Sequence, residues 1–155
     1  MLELDRNDPV VKLCAAGIAV ELQGRAEDAR ALYEQAWRER NGDLQSCIAA
    51  HYVARLQPTA ADNMRWNQVA LDHAAALDAA AAAGFMPSLH LNLGKSLEDL
   101  GRFEEAGVCY QEAESSLSAL PDDGYGDMVR GGVARGQQRI RIALGEETAA
   151  PGALG

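Results

Sequence analysis

Aromatic side chains supply only 5% of this 155-residue chain, so its core is not built from large rings. Cysteine is scarce too. Cys14, Cys47 and Cys109 are an odd number at wide spacing with no CxxC pair, which excludes a disulfide framework and reads as reduced thiols in a cytoplasmic protein. Basic residues are outnumbered, 14 Lys and Arg against 23 Asp and Glu, and the formal charge of −9 is relieved by no Lys or Arg run. Such a surface repels a phosphate backbone, so we expect no nucleic-acid partner. The longest strongly apolar stretch, residues 74–84, contains Asp78 and falls short of the roughly 20 residues that cross a bilayer, so we expect no membrane helix. The first nine residues are acidic and lack both the basic start and the apolar run of a secretory signal.

Alanine is abundant, with 29 of the 155 residues, in a chain that is 48% hydrophobic and 24% charged. That is enough apolar material for the core of one domain. Small side chains fill a core only where backbones approach closely, which helices packed on helices allow. Arg outnumbers Lys 12 to 2, and with the alanine content this fits a GC-rich bacterial source.

An internal repeat organises the chain. Gly17, Gly24, Arg25, Glu27, Asp28, Ala29, Tyr33 and Ala36 recur 77 residues later as Gly94, Gly101, Arg102, Glu104, Glu105, Ala106, Tyr110 and Ala113. Gly17 and Gly94 lie inside helical patterns, where glycine costs about 1 kcal/mol against alanine, so a close helix-helix contact is expected there. Gly24 and Gly101 stand where a helix should stop in a left-handed residue. The acids that follow occupy the first turn of the next helix, where the helix dipole favours negative charge. Alanine, tyrosine and alanine at spacings of four and three form one buried stripe.

This pattern resembles the tetratricopeptide repeat, a helix-turn-helix unit of about 34 residues. The resemblance implies an all-α fold, an α-solenoid of about three such repeats plus a C-terminal capping helix, with about seven helices in all. The closing proline of the family is replaced by Asn41 and Ser118. The copies lie 77 residues apart, about nine more than two such repeats, so a middle repeat with an insertion should lie between them. The expected repeats are residues 10–43, 44–86 and 87–121, in a domain of residues 1–145 with a flexible tail over 146–155. The expected helices are 9–23, 26–40, 44–57, 60–83, 87–100, 103–119 and the cap at 127–144. Asp8 and Pro9 make a good helix start, and Thr59 with Asp62 resembles a capping box.

Catalytic chemistry finds little support. His51, His73 and His90 form no metal-ligand spacing among themselves. Cys47 and His51, four apart, could offer two metal ligands or a thiol with a base, but packed helix residues are the simpler reading. Asp122, Asp123 and Asp127 with Gly124 and Gly126 lack the alternating acids and distal Glu of a calcium loop and read as a turn with a helix cap. Gly131, Gly132 and Gly136 follow no strand and read as close packing. Trp37 and Trp66 read as core, and Arg130, Arg135, Arg139 and Arg141 do not share one face. We expect no catalytic residue, metal or cofactor.

In tetratricopeptide domains the first helices line a concave face where partner peptides bind, and the resemblance carries Cys14, Ile18, Glu21, Leu91, Asn92, Lys95, Glu98 and Asp99 onto it. Asn92 stands where the family often carries an asparagine that bonds a ligand backbone. In the middle repeat Cys47, His51 and Arg55, spaced by four, share one face. Tyr125 and Arg130 could close the groove from the cap. Cys14 and Ile18, being apolar, do not suit the carboxylate clamp of chaperone-binding members. The expected function is a non-catalytic scaffold that binds a protein or peptide through Cys47, His51, Arg55, Asn92, Lys95, Asp99, Tyr125 and Arg130. The alternative is a small-molecule or metal-binding sensor or enzyme pocket on the face of Cys47, His51 and Arg55. A second copy of the chain, paired through terminal apolar faces, is a further candidate partner.

Overall fold

The computed structural model describes residues 4–148, and among them the chain forms eight α-helices, one short 3-10 turn and no strand. The helices are α1 (Pro9–Glu21), α2 (Ala26–Glu39), α3 (Gly42–Ala54), α4 (Ala60–Ala75), α5 (Ala79–Ala82), α6 (Met86–Asp99), α7 (Phe103–Ser115) and α8 (Gly124–Ala143). None of the described helices is long and apolar enough to cross a membrane. Of the expected tail, residues 149–155 lie outside the described residues.

Local chemistry sets the starts. The Asp8 carboxylate accepts from the N–H groups of Val10 at 2.8 Å and Val11 at 3.1 Å, with Pro9 in the first turn of α1. Thr59 Oγ1 accepts from Asp62 N at 3.0 Å and so caps α4. No side chain caps α2 or α7. Both are entered through a left-handed glycine, Gly24 at φ 77° and Gly101 at φ 75°, a conformation that costs other residues about 1–2 kcal/mol.

Several boundaries differ from those the spacing predicts. The single long helix expected over 60–83 is two, because Asp78 takes an extended backbone with ψ 152° and its carboxylate accepts from Ala81 N at 3.1 Å. An aspartate between Leu77 and Ala79 caps a new helix more readily than it continues an old one. The cap helix begins at Gly124, not near 127, because Asp123 is its N-cap and accepts from Gly126 N at 2.9 Å. The helix expected over 103–119 ends at Ser115 and gives way to the 3-10 turn Leu117–Ala119. That expected over 44–57 runs earlier, as Gly42–Ala54.

Consecutive helices pack most extensively: α1 on α2, α3 on α4 and α6 on α7, with α4 on α6 and α7 on α8 joining the pairs. The alanine excess resides in these interfaces. Ala29, Ala36, Ala49, Ala50, Ala70, Ala74, Ala106 and Ala113 are fully buried. The tightest approach is glycine against tyrosine. A Cβ on Gly17 would lie 2.3 Å from Tyr33 Cε1, and one on Gly94 would lie 2.9 Å from Tyr110 Cε1. Gly136 of α8 meets the same Tyr110 ring, at 2.6 Å from its added Cβ, so that ring has a glycine of α6 and a glycine of α8 against it. Trp37 is shared by three apolar clusters, meets Trp66 edge-on at 4.9 Å between ring centroids, and carries the Arg40 guanidinium 3.4 Å above its ring.

Both tyrosines are wholly buried, and each hydroxyl donates at 2.6 Å to a glutamate of the preceding helix, Tyr33 to Glu21 and Tyr110 to Glu98. Each carboxylate also takes a fork of two bonds from an arginine further along the chain. Arg55 reaches Glu21 at 2.9 and 3.2 Å, and Arg139 reaches Glu98 at 2.6 and 3.1 Å.

Gly17→Ala and Gly94→Ala are each expected to destabilise the chain by about 1–3 kcal/mol through overpacking, with Gly17 the larger, as read from urea denaturation midpoints. Arg139→Gln should weaken the hold on α8, about 1 kcal/mol given the partly exposed guanidinium, and hydrogen exchange should rise in α8 before α1 or α2.

Candidate functional site

A polar cleft of about 440 Å³ opens between α3, α4 and α6. Its walls come from three sequence regions. His51 and Ala54 stand on the last turns of α3, with Arg55 and Gln57 just beyond. Pro58 and Thr59 form the turn into α4, and Asn63 and Asn67 follow at helical spacing on that helix. Asn92, Lys95 and Asp99 project from one face of α6. Proline at 58 stops α3 from continuing, and the chain turns back so that α4 lies alongside α3 with its asparagines toward α6.

Neutral amides and one hydroxyl hold the floor together. Asn67 Nδ2 donates to Ser96 Oγ at 2.8 Å and to Asn63 Oδ1 at 3.2 Å. Ser96 Oγ lies 2.5 Å from Asn63 Oδ1 and 2.8 Å from the Asn92 carbonyl, two acceptors that share its one hydrogen, and Asn63 Nδ2 donates to the Ala54 carbonyl at 2.7 Å. These bonds tie α4 to α6 and to the end of α3. Asn67 is 3% exposed and Ser96 1%, so the bonds between them are buried.

His51 stands beside this floor. Asn92 Nδ2 donates to its Nδ1 at 3.4 Å, so Nε2 carries the ring proton. Burial holds the His51 imidazole well below its ordinary value, at about 4, with the Arg55 charge adding to the effect. The ring is therefore neutral near physiological pH. The two cations in the cleft already have partners. Arg55 grips Glu21, and that hydrogen-bonded guanidinium holds the Glu21 carboxyl below the usual range. Lys95 Nζ lies 2.5 Å from Asp99 one turn ahead on α6.

Five of the eight expected site residues, His51, Arg55, Asn92, Lys95 and Asp99, thus line one cleft. The other three do not. Cys47 is 1% exposed and packs with Ala50, Ala70, Ala74 and Leu89, and burial pushes its thiol up to about 11, so it is an unreactive core residue. Arg130 bonds the carbonyls of Leu120 at 3.2 Å and Pro121 at 3.3 Å and braces the turn before α8. Tyr125 is 40% exposed on the first turn of that helix. Cys14 is buried, while Glu21 and Glu98 are held by the tyrosine and arginine bonds of the fold. Among the described residues no group of three or more His, Cys, Asp or Glu side chains could hold a metal ion.

The polar cleft residues that the spacing did not single out are Gln57, Asn63 and Asn67. Their signal was available. Two asparagines four residues apart on a helix whose neighbouring turns carry Trp66, Val69 and Ala70 are polar residues at positions where packing favours apolar ones.

His51 titrates near 6.5 when unfolded and about 4 when folded, so between those values the unfolded chain binds more protons and stability rises with pH. The thermal midpoint is therefore expected to fall as pH drops from 6.5 toward 4.5, and His51→Gln, which carries no such proton, should make that limb shallower, leaving the part that His90, also lowered by burial, contributes. Below 4.5 the lowered carboxyls of Glu21 and Glu98 should add a second loss in both proteins.

Comparison with protein-family models, with curated proteins and with solved structures finds no match to this chain.

Proposed function

We propose that the chain is a tetratricopeptide-type α-solenoid of about three helix-turn-helix units capped by α8, and that it serves as a non-catalytic scaffold in a bacterial cytoplasm. Its cleft between α3, α4 and α6 holds a segment of a partner protein or peptide. The repeat reading is supported by the 77-residue recurrence, which has a physical counterpart in two glycine-tyrosine contacts and two tyrosine-glutamate-arginine groups. The observation that carries the binding reading is the cleft itself. It brings His51, Arg55, Asn92, Lys95 and Asp99 from two distant helices around a floor of amides held by mutual hydrogen bonds, a preformed surface that needs little reordering to receive a ligand. A catalytic or metal pocket built on Cys47, His51 and Arg55 is favoured less, because Cys47 faces the apolar interface with α4.

The test is calorimetric titration of an affinity-captured, purified partner against the full chain and its variants. His51→Ala and Asn92→Ala should each weaken binding about tenfold, the scale of one lost buried hydrogen bond, while Gln68→Ala on the exposed side of α4 should change nothing. Equal affinity in all three variants would remove the cleft from the interface.

A further inference from the structure

The charges of the cleft are matched within the fold, whereas several of its neutral groups are not, and of these Asn67 is the most deeply buried. Arg55 is forked onto Glu21 and Lys95 is paired with Asp99. An incoming carboxylate would have to displace Asp99 or Glu21, and an incoming ammonium would have to displace Lys95 or Arg55. Either exchange trades one ion pair for another and gains little.

The neutral groups behave differently. Asn67 uses its N–H groups on Ser96 and Asn63, and its Oδ1 accepts no hydrogen bond among the described residues. Yet the one buried side-chain polar atom without a partner among those residues is His90 Nδ1, so Asn67 Oδ1 is not sealed off. Asn67 is 3% exposed and lines the cleft, which is the open space from which its unpartnered acceptor is reached. The same holds for His51. Its Nδ1 is taken by Asn92, and its Nε2–H, a donor, has no partner among the described residues and opens on the cleft. With the ring neutral, that N–H is a dipole and not an ion.

The floor therefore offers a buried acceptor on α4 and a donor on α3, and the more exposed Asn92 Oδ1 and Gln57 Oε1 are further acceptors without a partner among the described residues. A ligand that covers the Asn67 acceptor and the His51 donor without replacing their contact with water leaves both unsatisfied. A carboxylate has no proton for Asn67, and an ammonium has no lone pair for His51. A hydroxyl has both on a single atom, which cannot serve two groups on different helices as well as two atoms can. A carboxamide carries an acceptor oxygen and a donor nitrogen on separate atoms and adds no charge.

We infer that the partner segment presents an asparagine or glutamine side chain to the floor of the cleft, where its carboxamide oxygen accepts from His51 Nε2 and its nitrogen donates to Asn67 Oδ1. This rests on the docking reading above and assigns the chemistry that reading leaves open. The cleft selects uncharged amide side chains over their acidic counterparts.

The experiment is an NMR titration of the isotope-labelled full chain with N-acetylglutamine methylamide and, separately, N-acetylglutamate methylamide, which share every group except the side-chain terminus. The expected result is saturable shifts at the Asn67 side-chain amide and the His51 ring with the glutamine probe, and about tenfold weaker binding of the glutamate probe. His51→Phe should erase the preference while leaving the rest of the spectrum folded. Asn67→Leu should do the same, and His51→Phe carries the test if that variant fails to fold. Glutamate binding equal to or tighter than glutamine overturns the inference, as do shifts centred elsewhere or no shift with either probe at about 0.1 M, which is ample for ligands of this size. A partner that loses affinity with Asn92→Ala but keeps it when its own asparagines and glutamines become alanine overturns the inference and leaves the docking reading standing.

Discussion

A tyrosine hydroxyl buried in a helical interface must find an acceptor, and this chain meets that need twice in the same way. Tyr33 and Tyr110 each donate to a glutamate one helix back, and each glutamate is then half-removed from water and needs a counter-charge. An arginine from a later helix supplies it. The glycine opposite each ring is the steric half of the same arrangement, since the ring can reach the carboxylate only if nothing stands on the helix face it crosses. Ring, carboxylate and guanidinium thereby connect three helices early in the chain and three late in it: α1, α2 and the end of α3, then α6, α7 and α8. Removing one member leaves a buried hydroxyl or a carboxylate without its partner, which is why such groups act as units.

The middle of the chain is held by different means, and the cleft is the result. No glycine-tyrosine contact locks α3 to α4. There Asn63 bonds the end of α3, while Asn67 and Ser96 tie α4 to α6. Amides are smaller than a phenol ring and leave unused hydrogen-bonding capacity, so the joint is polar and open where the outer pairs are apolar and closed. Arg55 belongs to both regimes. Its head completes the Tyr33 group, and its position at the end of α3 makes it a wall of the cleft. Any segment lying in the cleft thus touches a residue on which the packing of the first helix pair depends.

Most of the helical architecture was legible in order and spacing. The paired glycines, the acids after them and the alanine-tyrosine-alanine stripe are local devices, and each appears where its spacing requires. The break at Asp78 was not legible from period alone, because alanines on both sides carry a strong helical preference and one capping carboxylate overrides them. The site was legible in part. His51, Asn92, Lys95 and Asp99 stand at positions that a helical face predicts, whereas Cys47 shares its helix with His51 but turns inward. The low amphipathicity of α3 explains the difference, since apolar residues surround that helix on most sides and spacing cannot say which side is open.

By itself the sequence determined the helical class, the starts of α1, α2, α4 and α7 through caps and glycines, and the close-packed alanine interfaces, because all of these follow from interactions within a few residues or from one repeating period. The pairing of Arg55 with Glu21, of Arg139 with Glu98, and of Asn67 with Ser96 was decided only by the tertiary structure. These partners are 29 to 41 residues apart, and nothing in their spacing marks them as neighbours. They meet because the packing of small side chains sets how closely, and at what rotation, one helix lies on the next. The charge of the cleft follows from those meetings: its cations are neutralised in place, and the groups left without a partner there are on neutral side chains.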